Sequence, residues 1–390
     1  MKAMTPSTLQ TLLPQISDIR RTIHQYPELS QQEKQTAQLV METLAEFGYD
    51  DIHQCGGEGV VALIDSGKPG KTIGLRADMD ALPIQEANTF AHCSQNQGVM
   101  HACGHDGHTA TLLCVAAILA NTRDQWSGKI KLIFQPAEET GTGAKAMVEH
   151  GVLENPAVDE IYGMHNWPGL PAGHIAVRAD CILSGTDSFN ITINGQGGHS
   201  SMPDKTRDPM KAGCLLKSAL ENLPKSLSKQ HQRSVLTLTR FHCGTAHNVI
   251  ADSMTLGGAF RTLSPQARQQ LLVAIDQVLI NIGTQTETDI SIDYLHSVPA
   301  TINSEKEAKK VYQAAVNTLG ESHVTWMSES LMPTEDFAYF LQQVPGCYFL
   351  TGNGEDSAQL HTPNYDFNEK LISNAAQVFV GLVMPGQLIT

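Results

Sequence analysis

Met100-His101-Ala102-Cys103-Gly104-His105-Asp106-Gly107-His108 runs unbroken into Thr109-Ala110-Thr111-Leu112-Leu113-Cys114-Val115-Ala116-Ala117-Ile118-Leu119-Ala120. The second half is helical in length and composition and carries no charge, which predicts a helix buried on most sides. The first half sets three histidines, a cysteine and an aspartate at that helix's N-terminus, where free N–H groups and the helix dipole favour a thiolate or carboxylate. Sulfur together with imidazole suits zinc or a similar divalent ion. The competing expectation is that Asp106 or Thr109 caps the helix while the histidines line a polar surface.

Short apolar strands surround this element. Val60–Ile64 and Thr72–Leu75 flank the turn Gly67-Lys68-Pro69-Gly70, and the second leads into Arg76-Ala77-Asp78-Met79-Asp80. Lys129–Phe134 precedes Gln135-Pro136-Ala137-Glu138-Glu139, and Ile161–Met164 precedes His165. Strands alternating with helices predict an α/β fold, a mainly parallel sheet flanked by helices. Ligands of such sheets gather at the carboxyl ends of the strands, where Asp78, Asp80, Glu138, Glu139 and His165 fall. Amphipathic helices are expected over 8–23 and 37–47, from Asn303-Ser304 to Leu319, and from Leu371 to Leu382.

The rhythm changes after Ser184. A strand through Phe189, Ile191 and Ile193 is followed by a helix from Asp208-Pro209 to Pro224. Two strands come next (235–241 and 254–260), then a helix from Ser264-Pro265 to Gly283 and a strand through Ile290, Ile292 and Tyr294. This β-α-β-β-α-β order is that of a ferredoxin-like unit. Residues 184–295 are therefore expected to form a separate domain inserted into one made of 1–183 and 296–390.

Composition narrows the function. The chain has 390 residues, 41% hydrophobic and 17% charged, ordinary for a globular protein and long enough for two cores. A formal charge of −14 with no basic run argues against nucleic acid or an anionic membrane as partner. Met1 to Pro14 has no apolar stretch of leader length, and no segment approaches the span of a bilayer. Eight cysteines without paired spacing fit a reducing cytoplasm better than a disulfide framework.

Cys103, His105, Glu139, His165 and His361 emerge as candidate metal ligands. Five exceed what one catalytic zinc keeps, whereas two ions sharing a bridging Cys103 account for all of them. Glu138, beside a ligand, could then serve as general base. Asp80 and Asp106 are expected to orient ligands or cap the helix, and His24, His101 and His108 to be structural.

The motifs His24-x-x-Pro27-Glu28-Leu29, Arg76–Pro83, His101–His108, Phe134–Glu139, Met164–Pro168, Gly197-Gly198-His199, His247-Asn248-Val249-Ile250 and Glu335-Asp336-Phe337 fall in one order. The series resembles the amidohydrolase branch of the aminoacylase and carboxypeptidase G-like metallopeptidases, which includes hippurate hydrolases and plant hydrolases of indoleacetyl-amino acids. That resemblance covers nearly the whole chain. It implies a centre of two divalent ions (zinc or manganese, with cobalt or nickel as options) on Cys103, His105, Glu139, His165 and His361, with Glu138 as base. It further implies that the inserted domain is a lid that forms a homodimer or higher oligomer. There His199 would approach the substrate carbonyl, and Asn248 and Arg261 would hold the substrate carboxylate. The expected reaction is cleavage of a small N-acyl-amino acid into a carboxylic acid and an amino acid. A dipeptidase or aminopeptidase is the nearest rival, and a non-catalytic metal-binding protein a rival of another class. Met332-Pro333-Thr334 and Ser200-Ser201 depart from the Met-Gly-Ser and Ala-Ala common in that branch, which bears on substrate preference.

Overall fold

The computed structural model describes residues 6–227 and 233–385, so the Met1–Pro14 stretch lies partly outside them. Contacts divide the chain into a larger unit (Met1–Ile182, Ile302–Glu329 and Asp336–Thr390) and a smaller one (Leu183–Thr301 and Ser330–Glu335).

The larger unit begins with α1 (Pro6–Gln25), α2 (Lys34–Glu46), β1 (Asp51–Gln54), β2 (Val60–Asp65) and β3 (Thr72–Asp78). It continues with α3 (His105–Asn121), β4 (Lys129–Gln135), α4 (Gly143–Glu149), β5 (Glu160–Pro168) and β6 (Ile175–Val177). After β7 (Asp180–Leu183) the smaller unit supplies β8 (Gly185–Asn194), β9 (Gly198–His199), α5 (Pro209–Leu227), β10 (Val235–Cys243) and β11 (Val249–Ile250). It closes with β12 (Ser253–Thr262), α6 (Pro265–Thr286) and β13 (Asp289–Val298). Following β14 (Thr301–Asn303), the larger unit resumes with α7 (Glu305–Leu319), β15 (Val324–Trp326), α8 (Ala338–Leu341), β16 (Gly346–Gly354) and α9 (Lys370–Val383).

An eight-stranded sheet in the order β1-β2-β4-β3-β5-β16-β6-β15 forms the larger unit's backbone. Its middle, β4-β3-β5-β16, is parallel, as is the outer β6–β15 pair. Antiparallel joins occur at β1–β2, β2–β4 and β16–β6. The α/β class expected from the sequence is the one observed. Strands β3 and β16 are buried along almost their whole length, the mark of strands covered on both faces. Helix α3 is buried from His105 to Leu119 and packs on α1, α9 and β3. An apolar surface on every side leaves such a helix no stable place but the interior.

Two details differ from expectation, and one was left open by the sequence. Strands β2 and β3, which flank the 67–70 turn, are not partners, because β4 lies between them. The 67–70 turn wraps the residue ahead of β4, with Ser66 N donating to Gly128 O at 3.0 Å and Gly128 N to Lys68 O at 3.0 Å. Gly128 sits at φ +91°, and a Cβ there would lie 2.1 Å from Lys71 O, so only glycine fits. Strand β5 continues through His165 to Pro168, placing that histidine inside the strand. Helix α5 runs past Pro224, whose ring is buried with Leu216 and Leu220 on the packed stripe and so offsets the lost hydrogen bond.

In the smaller unit, an antiparallel sheet in the order β10-β12-β8-β13 accompanies α5 and α6. Alternation along β8 buries Phe189, Ile191 and Ile193 in a core shared with Leu216, Leu220, Leu271 and Ile275. The element order is ferredoxin-like, and Ser330–Glu335 joins this unit from far along the chain.

Candidate metal centre and active site

Chain direction at the start of α3 sets the site. Gly104, the residue before the helix, is left-handed at φ +90°, and a Cβ there would lie 2.4 Å from Asn166 Oδ1. A glycine is therefore required between Cys103 and His105, and its turn aims both side chains into one buried space. The backbone N–H of His361 donates to Ala102 O at 2.8 Å, which brings a distant loop to the same place.

Two sets of potential ligands meet there. Ligand atoms of Cys103, His105 and His165 lie within 4.8 Å of one another, and so do those of Cys103, Glu139 and His361. Cys103 belongs to both. Its Sγ lies 3.4 Å from His165 Nε2 and 3.3 Å from His361 Nε2, while His361 Nε2 is 3.3 Å from Glu139 Oε1. Glu138 joins His105 and Glu139 in a third such group. All six side chains belong to the larger unit.

The histidines are oriented by their other nitrogens. His105 Nδ1 faces Asp80 Oδ1 at 3.2 Å, and His165 Nδ1 faces the Asn166 carbonyl at 2.6 Å, leaving both Nε2 atoms toward the centre. His105 Nε2 and Glu139 Oε1 are buried without any hydrogen-bond partner. Orphaned donors of this kind, set among carboxylates and a thiol, are what a cation site requires. Burial pushes the Cys103 thiol up, and Glu139, Glu138 and Asp78 push it further. Burial opposes charge on His105, yet Asp78, Asp80 and Glu139 outweigh it and raise the imidazole to about 10. Burial and neighbouring His108 hold His165 well below the usual range, hence neutral. With Asp78, Asp80 and Glu138 around them, these donors fit a divalent metal.

Several side chains brace the centre through partners that the sequence reading did not identify. His108 is clamped with Nδ1 2.5 Å from Asp78 Oδ1 and Nε2 2.5 Å from Asn166 Oδ1. Asp78 also accepts from Arg76 Nη1 at 2.8 Å. Asp80 accepts from Glu139 N at 3.0 Å and Ser30 Oγ at 2.6 Å, so it fixes ligands on two elements. Asp106 caps nothing: it takes Arg20 Nε at 2.7 Å and faces His24 Nδ1 at 2.9 Å. His101 is buried with neither ring nitrogen bonded, and burial first of all pushes it down to about 3. The x-x-Pro-Glu-Leu motif was a usable signal for Glu28, whose carboxylate accepts from Thr36 N at 2.9 Å.

The remaining candidates belong to the smaller unit. His199 is exposed on a two-stranded ribbon with Val249, its Nδ1 2.8 Å from Ser201 Oγ. Exposed Asn248 adjoins it, accepting from Ser200 N at 3.1 Å. Arg261 is elsewhere, on β12, where its Nη1 donates to Met332 O at 3.0 Å and Thr334 Oγ1 at 2.6 Å. The unusual Met332-Pro333-Thr334 stretch thus holds that guanidinium.

Residues 74–384 match Peptidase family M20/M25/M40. The chain is 36% identical over 380 residues to the hippurate hydrolase of Campylobacter jejuni subsp. jejuni, covering 96% of this chain and 98% of that one. It is 36% identical to the IAA-amino acid hydrolase ILR1-like 5 of Arabidopsis thaliana, with 93% and 85% covered. Among solved structures, the YXEP protein of Bacillus subtilis, described as a dinuclear metal binding peptidase, aligns with a TM-score of 0.85 at 31% identity, covering 96% and 98%. A family pattern over most of the chain and relatives matched nearly end to end make this protein a member of Peptidase family M20/M25/M40, a metal-dependent hydrolase of amide or peptide bonds.

Proposed function

We propose that the protein hydrolyses the amide bond of a small N-acyl-amino acid, releasing a carboxylic acid and a free amino acid. The observation that carries the chemistry is Cys103 shared between two ligand groups with Glu138 alongside. The hippurate and IAA-amino acid hydrolases among its relatives support the substrate class.

Cys103, His105 and His165 would hold one divalent ion, and Cys103, Glu139 and His361 a second. Zinc or manganese suits the set, and cobalt or nickel is accommodated by the same donors. Such a pair supplies Lewis acidity, acidifying water and polarising the scissile carbonyl. Glu138 takes the proton of the attacking water as its oxygen bonds to the carbonyl carbon. It then delivers that proton to the nitrogen as the C–N bond breaks. His199 donates to the oxygen on which charge develops. Asn248 and Arg261 hold the substrate's carboxylate. The smaller unit forms a homodimer, and His199 of the partner subunit completes each site. Eight unpaired thiols support a cytoplasmic setting. Among the described residues no helix is long and apolar enough to cross a membrane.

Metal-reconstituted protein should be assayed with benzoyl-, acetyl- and indoleacetyl-amino acids beside unblocked dipeptides. Turnover of the blocked compounds is expected. Turnover confined to substrates with a free α-amine would replace the proposal with a dipeptidase or aminopeptidase.

A further inference from the structure

We propose that Glu33 is a positioning residue for the reaction: its buried carboxylate fixes the backbone of Ala137 and so aims the Glu138-Glu139 pair. The inference rests on the roles proposed above for those two glutamates.

Glu33 stands at the N-cap of α2, where an acidic side chain ordinarily folds back onto the helix's free N–H groups. Here it makes no such bond. Glu28 does the capping instead, accepting from Gln35 N at 3.1 Å and from Thr36 N at 2.9 Å. The Glu33 side chain is released to turn inward and is 0% exposed. Its Oε1 accepts from the Ala137 N–H at 2.7 Å, across 104 residues of sequence.

Ala137 needs holding. It lies at φ +53°, the left-handed region that a residue with a Cβ enters at a cost and keeps only where its surroundings fix it. On its carbonyl side, Gly143 N and Thr142 N donate to Ala137 O at 3.1 and 3.3 Å. Gly143 also abuts the turn so closely that a Cβ would lie 1.6 Å from Pro136 O. On its amide side the bond is to Glu33. Release of that bond lets Ala137 relax toward ordinary φ, swinging the next two side chains together.

The second oxygen, Oε2, is buried without a partner. Burial, then Asp80, pushes the Glu33 carboxyl up to about 7, so a neutral group is tolerated there. Glutamine, isosteric and still offering an oxygen to Ala137 N–H, is therefore the conservative replacement. Aspartate, shorter by one methylene, withdraws the acceptor.

Two readouts test this. In metal-free protein, hydrogen exchange of the segment carrying Ala137 should quicken on the order of tenfold in Glu33→Ala and Glu33→Asp, with α3 and β5 unchanged. Glu33→Gln should exchange as the wild type does. In metal-loaded protein, kcat should fall about tenfold to a hundredfold in the Ala and Asp variants with KM held within about twofold, and Gln should restore it. Should Glu33→Ala not fold, the Gln and Asp variants carry the same comparison. An Asp variant matching wild type in exchange and kcat overturns the proposal, as does exchange quickened evenly across the larger unit. Retained turnover in Glu138→Ala would instead refute the base while leaving the exchange result standing, so the two failures are told apart.

Discussion

Adjacent glutamates proposed for different duties make the sharpest residue-level contrast. Glu139 lies against His361, Cys103 and His105, whereas Glu138 shares only the group with His105 and Glu139 inside this centre. Glu138→Ala is expected to lose on the order of a hundredfold or more in kcat with metal content intact, and Glu139→Ala to lose metal. Elemental analysis beside kinetics checks both, and reversed phenotypes would exchange the assignments. Metal loading should also respond to pH. A thiol pushed up by burial and carboxylates, and an imidazole raised to about 10, both hold protons in the metal-free chain. Binding must expel those protons, so affinity rises with pH across the neutral to alkaline range. Calorimetry in buffers of different ionisation enthalpy should show net proton release on loading zinc, and Cys103→Ser should release less.

At the scale of elements, α1 and α3 are tied by charge as well as packing. Arg20 reaches Asp106, Asp366 and Glu369, and His24 lies between Asp106 and Glu86. Burial opposes charge on His24, but Asp106 and then Glu86 prevail and lift it to about 9. Its stabilising share is therefore complete below the ordinary histidine value and is lost as pH climbs through about 9. All three tryptophans, Trp126, Trp167 and Trp326, belong to the larger unit, so urea unfolding followed by their fluorescence reports on it. Asp106→Asn should cost about 3–5 kcal/mol near pH 7 and flatten the decline between pH 7 and 10. An equally steep decline in the variant would place its source elsewhere. This network shows where sequence reading stops. The apolar α3, the alternating β8 and the Cys103–His105 cluster were legible because periodicity and donor type are local properties. Asp106 was legible only as a capping or orienting group, since its partners Arg20 and His24 lie 86 and 82 residues before it. Short β6 and β15, three residues each, carry too little pattern to see. The place of β4 between β2 and β3 was likewise invisible, because it rests on pairing with residues more than 50 positions away.

For the whole molecule, the proposed dimer predicts complementation. Chains with Glu138→Ala, mixed with chains bearing His199→Ala after dissociation and reassociation, should recover roughly a quarter of wild-type activity. Half of randomly paired dimers are hybrid, and in each hybrid one site has both groups intact. No recovery from a demonstrably exchanged mixture would show that His199 serves its own chain. The interrupted larger unit also carries a consequence for biosynthesis. Strand β16, paired with β5 near the middle of the sheet, is translated roughly 185 residues after its neighbour, and His361 follows it. The smaller unit's main segment, Leu183–Thr301, is finished well before either. A ribosome-bound chain can therefore complete the antiparallel sheet of β8, β10, β12 and β13 early. The eight-stranded sheet must wait with an open seam beside β5 until β16 has been made. During that interval β5 presents an unpaired, largely apolar edge, the kind of surface that recruits chaperones. The nascent chain then holds only four of the five candidate donors, so the centre cannot be complete before His361 is made.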